Sequence, residues 1–89
     1  MRRRDEWRRV LDVEVTRWSE MSCDQLINEL HEEKNYRVEA DTKQFQVEVQ
    51  LIENTTDYIH VVLSVDDGSL PESIFPATRG FIKKKSEAP

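Results

Sequence analysis

Two adjacent carboxylates are the residues of this chain whose types and spacing come closest to a chemical site. Asp66 and Asp67 precede Gly68, and Glu72 follows four residues later. Carboxylate oxygens are the ligands that Mg²⁺ and Ca²⁺ prefer. The spacing does not form a calcium-binding EF-hand loop, and Asp and Gly after a strand are typical of a turn. We therefore predict a plain turn with no metal or other cofactor, and keep Asp66 and Asp67 as weak candidate ligands.

The single thiol, Cys23, is the second candidate, and it excludes an internal disulfide and a multi-thiolate zinc site. In the first turn of a helix a thiol can become reactive, but the neighbouring Asp24 opposes this. His31 lies eight residues on, about 12 Å along a helix, which is too far for it to act as the base. His60 approaches only if the fold brings it there. We predict a structural cysteine and no catalytic residue.

Charge is distributed unevenly along the chain. Residues 1–9 and 83–89 hold eight Lys and Arg against three acids, whereas residues 10–82 hold five against fifteen. Basic ends can contact the phosphates of a nucleic acid, but an acidic body repels a duplex. A nucleic-acid-linked regulator is therefore the alternative function, and nucleic acid is not the expected partner. Its candidate residues are Arg2, Arg3, Arg4, Arg8, Arg9, Lys83, Lys84 and Lys85.

Two tryptophans are the strongest indication of a partner. Trp7 and Trp18 are eleven residues apart, which places them at nearly the same azimuth of a helix. Either both pack against a sheet, or part of their face contacts a partner, because a core this thin would not cover them. The second interpretation predicts a two-fold homodimer, or binding to another protein. Its candidate interface consists of Trp7, Val10, Leu11, Val15 and Trp18.

The elements that position these residues begin with a helix over residues 4–18. Between residues 4 and 21, only the apolar Val13 falls outside one helical face. Residues 10–16 alone also alternate as a strand would, so that alternative stays open. A second helix is predicted over residues 23–34, with Ser22 as N-cap, Gln25 completing a capping box and Asn35 ending the helix in a left-handed turn.

Antiparallel strands should follow the helices. Residues 43–53 alternate strictly between apolar and polar side chains, as a strand with one buried face does. The strands beside it begin at Tyr36 and Tyr58, and Phe81 with Ile82 can add a short fourth strand. The predicted inward residues are Tyr36, Val38, Ala40, Phe45, Val47, Val49, Leu51, Ile59, Val61, Leu63 and Val65.

This order predicts an α+β fold in one domain, with two N-terminal helices on one face of a three- to four-stranded antiparallel meander sheet. The helical part covers residues 4–34, the sheet residues 36–83 and a basic tail residues 83–89. No apolar run reaches the 18 residues that a membrane helix needs, and no apolar segment follows the first arginines as in a signal peptide. We expect a cytoplasmic protein that does not bind a membrane.

Several short segments of the chain form a distinctive set: Trp18-Ser19, residues 22–26, residues 45–49, Val65-Asp66-Asp67-Gly68, Pro76 and Phe81-Ile82. Together they resemble a family of small bacterial α+β proteins of unassigned function. The resemblance covers residues 18–82 and implies a bacterial source, but no catalytic or binding residues. It leaves the interpretation of the residues unchanged: we expect a small protein-interaction module that self-associates and has no catalysis, and a thiol- or metal-dependent enzyme comes third.

Overall fold

The computed structural model describes residues 3–40, 42–68 and 77–85. The described elements form one antiparallel sheet of order β1-β2-β3-β4 with the helices packed on one of its faces, so the predicted α+β fold is confirmed. We call this the covered face and the other the open face. The elements are α1 (Arg3–Ser19), α2 (Cys23–Glu29), β1 (Lys34–Ala40), β2 (Lys43–Asn54), β3 (Tyr58–Asp66) and β4 (Ala77–Lys84).

The first helix, α1, follows the long-window pattern and not the short strand-like one. Asp5 and Glu6 occupy its first turn and Arg17 its last turn, each at the end where the helix dipole favours its charge. Val13, the apolar residue outside the predicted face, is 59% exposed. No described helix is long and apolar enough to span a membrane.

The second helix, α2, begins as predicted and ends early. The Ser22 side chain accepts a hydrogen bond from the amide of Gln25, whose own side chain accepts one from the Ser22 amide. The helix ends at Glu29, so the predicted extension through residue 34 is wrong, and so is the left-handed turn at Asn35, which lies in β1. The residues that follow include Glu32 and Glu33, and acids are disfavoured at a helix C-terminus.

The central strands β2 and β3 bury every second residue. Phe45, Val47 and Val49 of β2 are at most 1% exposed, which confirms their predicted side. A register shift between residues 51 and 53 interrupts the pairing of β2 with β3, and Leu51 before it is only half-buried. The four inward residues of β3, all 0% exposed, complete the centre of the core: Ile59, Val61, Leu63 and Val65.

The fourth strand is longer than the sequence indicated. Phe81 and Ile82 lie inside β4, which pairs with β3 from Ala77 to Lys84. The sequence left its extent open because these two residues are the only adjacent large apolar pair there, beside a glycine. The nearby Pro71 and Pro76 lie outside the described residues.

Helix α1 lies asymmetrically across the covered face, packed mainly on β3 and β4. Arg79 of β4 forms an ion pair with Asp12, and Lys83 Nζ donates to the Ser19 carbonyl at 2.9 Å. Both bonds join β4 to α1, and the second also places a cation at the C-terminus of the helix. The opposite edge strand, β1, has no fully buried side chain.

Candidate functional site

The carboxylate pair forms a turn. The Gly68 amide donates to Asp66 Oδ1 at 2.8 Å, and Gly68 has a φ of 79°, a backbone conformation that favours glycine. The third candidate ligand, Glu72, lies outside the described residues. Within the described ranges, no three His, Cys, Asp or Glu residues are placed to hold a metal ion.

The thiol and the histidines are not brought together. Cys23 Sγ lies 3.6 Å from the Lys84 carbonyl and 3.8 Å from that of Lys83, so it donates to the backbone of β4 from the covered face. His31, two residues beyond the end of α2, contacts the Asn28 carbonyl of that helix through Nδ1. His60 lies on the open face, above Gly80 and opposite Ile82. No described histidine is therefore placed as a base for Cys23.

The C-terminal lysines bond to the protein itself. Lys83 binds the end of α1, as described above, and Lys85 Nζ donates to Asn54 Oδ1 at 2.5 Å. The Lys85 amide also donates to the Asp57 carbonyl at 2.8 Å. These contacts hold two of the three lysines close to the sheet. The side chains of Arg2, Arg3 and Arg4 lie outside the described residues.

The tryptophan face of α1 lies inside the molecule. Trp7 is 0% exposed and Trp18 8%, Val10 and Leu11 are buried as well, and Val15 is half-buried. The premise that the core is too thin to cover this face is wrong, because β3 and β4 together lie beneath α1. Of the two interpretations of the sequence, the structure places these residues in the core, which leaves little of this face exposed to a partner.

A groove between α1 and β1 is a partly apolar surface that the helices leave uncovered. Because α1 lies over β3 and β4, the inward side chains of β1 remain half-exposed. The resulting depression measures about 300 Å³, and both apolar and charged residues line it. Its apolar lining consists of Val10, Val13, Val38, Ala40 and Phe45, and its polar lining of Glu6, Arg9, Glu14 and Glu39.

A buried polar network joins β1 to α1 beside this groove. Trp18 Nε1 donates to Tyr36 Oη at 2.7 Å, and Tyr36 Oη donates to Glu14 Oε1 at 2.6 Å. Arg17 forms an ion pair with the same carboxylate at 3.0 Å. Glu14 is only 4% exposed, and these donors satisfy a charge that would otherwise be costly to bury.

The chemistry of this network is structural at neutral pH. Burial, and then the hydrogen bond to Glu14, raise the pKa of Tyr36 to about 12. A phenol with such a pKa stays protonated near pH 7, where it is a hydrogen-bond donor and a poor nucleophile. The network therefore fixes the position of β1 relative to α1.

The backbone edge of β1 is the second part of the site. In the described part of the chain β1 pairs with β2 alone, so the N–H and C=O groups on its other side are open to a further strand. Arg37 and Glu39 are exposed on the open face of this strand, and neither forms an ion pair with a described residue. Together with the groove, this edge forms what we call the β1 surface.

The open face of the sheet is polar and acidic. A shallow depression of about 370 Å³ lies over β1, β2 and β3. Burial, and then the charges of Glu33 and Asp66, raise the pKa of Glu48 on this face, whereas hydrogen bonds from Gln50 and Asn35 lower the pKa of Glu33. The residues that line this depression include Asn35, Arg37, Gln46, Glu48, Ser64 and Asp66.

Sequence reasoning missed the β1 surface, although two signals for it were present. Glu14 lies four residues after Val10 and four before Trp18, so a carboxylate occupies the buried face of α1 and needs a donor. Val13 stands outside that face as an exposed apolar residue. Neither signal shows which strand α1 leaves uncovered, since that depends on how the helix crosses the sheet.

Comparison of the chain with models of protein families, with curated proteins and with solved structures finds no match. The resemblance to a small bacterial family stays a prediction.

Proposed function

We propose that this protein is a small protein-interaction module without catalysis of its own, and that it binds its partner through the β1 surface. The observation that supports this most directly is the uncovered apolar row of β1 beside the exposed Val13. An extended segment can hydrogen-bond to the open edge of a sheet while its side chains occupy a neighbouring apolar groove. The β1 surface offers both components on the same strand.

The absence of catalysis is proposed from the positions of the reactive groups. The Cys23 thiol donates to backbone carbonyls of β4, and Glu14 and Tyr36 are hydrogen-bonded to each other. The described histidines lie apart from that thiol, on an exposed helix end and on the open face. A nucleophile with a base at hydrogen-bond distance, which covalent catalysis requires, is not assembled among the described residues.

Site-specific photo-crosslinking in the source cells tests this function. Val13 and Ile82 provide a matched pair, because each is 59% exposed but only Val13 lines the groove. We expect a photoreactive amino acid at position 13 to form a protein adduct of defined mass, and the same residue at position 82 to form none. The substitution Val38→Lys, which places an ammonium group in the apolar row, should abolish the adduct at position 13.

The mass of the adduct identifies the class of partner. A product of twice the 10.6 kDa chain mass indicates a second copy, and another mass indicates a different protein. Equal labelling at positions 13 and 82, or no adduct at position 13, would overturn the proposed function.

A further inference from the structure

We infer that the partner at the β1 surface is a second copy of this chain, whose β1 pairs antiparallel with the first across a two-fold axis at Val38. This inference rests on the proposed function and adds the identity of the partner and the register. The two sheets then join into one sheet of eight strands, since each copy contributes four. The side chains of β1, Lys34–Ala40, determine this register.

The two faces of β1 restrict how two copies can pair. Tyr36, Val38 and Ala40 point to the covered face, and Arg37 and Glu39 to the open face. In an antiparallel pair, residues directly opposite one another lie on the same face of the sheet. If the two-fold axis passes through a residue, the apolar row of one chain lies beside the apolar row of the second. If the axis passes between two residues, apolar side chains lie opposite charged ones.

Charge complementarity selects the axis at Val38. With Val38 opposite itself, Arg37 lies opposite Glu39 of the second copy, and Glu39 opposite its Arg37. Both residues are exposed and form no ion pair with described residues of their own chain. Opposite charges in directly facing positions stabilise a strand pair, and the symmetry supplies two such pairs per dimer.

The neighbouring registers bring like charges together. An axis at Arg37 would place the Arg37 guanidinium groups of the two chains opposite each other. An axis at Glu39 would place the two Glu39 carboxylates opposite each other. Like charges directly opposite one another destabilise a strand pair. The Val38 register also pairs Tyr36 with Ala40, so a large side chain faces a small one on the covered face.

The same register continues the groove across the axis. Val38 lines the groove and lies at the axis, so the groove of one copy meets that of the other there. Val13 lines the same groove from α1, which places its exposed side chain above the joined strands. The half-exposed apolar row of β1 would thereby be covered by the same row of a second copy.

Charge exchange tests the register. Arg37→Glu and Glu39→Arg each replace two attractive pairs by two repulsive ones, so each should raise the dimer dissociation constant by roughly tenfold. The double variant Arg37→Glu/Glu39→Arg should restore association. A mixture of the two single variants should form heterodimers more tightly than either variant forms homodimers. Sedimentation equilibrium of the full chain, from micromolar to high micromolar concentration, measures these constants.

Cysteine substitution tests the axis independently of charge. Directly opposite residues in antiparallel strands have Cα atoms about 4.5–5.5 Å apart, within the range that a disulfide spans. In a Cys23→Ser background, Val38→Cys should therefore form a disulfide-linked dimer under mild oxidation. Glu39→Cys is the matched control on the same strand, and the Val38 register places its two thiols too far apart to bond.

Four results would overturn this inference. They are a wild-type mass that stays at 10.6 kDa throughout the concentration range, no restoration in the double variant, no preference for the mixed dimer, and faster linkage of Glu39→Cys than of Val38→Cys. If the mass stays monomeric while position 13 crosslinks to another protein, the inference fails and the proposed function stands. If position 13 forms no adduct at all, both fail.

Discussion

The two edge strands, β1 and β4, have nearly the same length, but they differ in their contacts with α1. Arg79 and Lys83 of β4 both bond to α1, and Cys23 donates to the carbonyls of the same strand. β1 meets the helix through the Tyr36 hydroxyl, and its apolar row remains half-exposed. The helix therefore covers one side of the sheet and leaves a groove at the other.

The charges of the two edges differ in the same direction. The charged residues of β4 are Arg79, Lys83 and Lys84, all cationic, and cationic edge strands resist pairing with a second copy. β1 carries both Arg37 and Glu39 and so can satisfy its own charges across a two-fold axis. Under the proposed function, the sheet presents the β1 edge for binding while the β4 edge is used for internal packing.

The largest expected effect separates the core from the β1 edge. Leu63→Ala removes a side chain that is 0% exposed and should lower the free energy of unfolding by about 2–5 kcal/mol, from lost burial and the remaining cavity. Val38→Ala at half-exposed β1 should cost less than about 1 kcal/mol in the monomer. Urea unfolding at low protein concentration measures both. Equal losses would mean that β1 belongs to the core.

The next effect concerns the contact between β1 and α1. Tyr36→Phe removes the hydroxyl that accepts from Trp18 Nε1 and donates to the buried Glu14 carboxylate. We expect a loss of about 1–3 kcal/mol, because buried polar groups lose their partners. Tyr58→Phe is the control, since Tyr58 is half-buried as well but its hydroxyl pairs with the exposed Glu53, so the change should cost less than about 0.5 kcal/mol. Similar losses would contradict a special role for Tyr36.

The same hydroxyl predicts a dependence of stability on alkaline pH. The folded protein raises the pKa of Tyr36 from its ordinary value of 10 to about 12, through burial and then the hydrogen bond to Glu14. This contribution to stability is fully present below about pH 10, and it is lost as the pH rises through about 12. Unfolding of the wild type and of Tyr36→Phe from about pH 9 to 12 should show a steeper fall in the wild type. Parallel curves would contradict the assignment.

The smallest effect concerns the β4 side. Arg79→Ala removes an ion pair whose two side chains are each about half exposed, and such pairs contribute less than about 1 kcal/mol. Its cost should therefore be smaller than that of Tyr36→Phe, and it should leave any association unchanged. A loss of association in Arg79→Ala would assign the partner to the β4 edge.

Most of the sheet could be predicted from the sequence, because alternation in β2 and β3 is strict and each inward residue is apolar. The face of α1 was equally readable from its spacing. The end of α2 could not be predicted, because residues 30–34 contain no glycine or proline and β1 begins directly after a short bend. Burial of the tryptophans was left open because it depends on β4, whose sequence gives only a weak strand signal.

The β1 surface could not be predicted because it depends on contacts between distant residues. The position of α1 is held in part by the Arg79–Asp12 pair, whose members are 67 residues apart. The Tyr36–Glu14 hydrogen bond joins β1 to the same helix across 22 residues. Period and propensity are local properties, so they indicate that α1 has a buried face but not which strands it covers.

Amide hydrogen exchange of the two edge strands, followed as protein concentration rises, tests the central claim most directly. If β1 is the binding edge, the amides of β1 that point away from β2 should exchange more slowly at high concentration, as they become bonded to a second copy. The outward amides of β4, Ala77–Lys84, should keep the same rates at every concentration. Slowing at β4 with unchanged rates at β1 would contradict the account, and so would rates at both edges that do not depend on concentration.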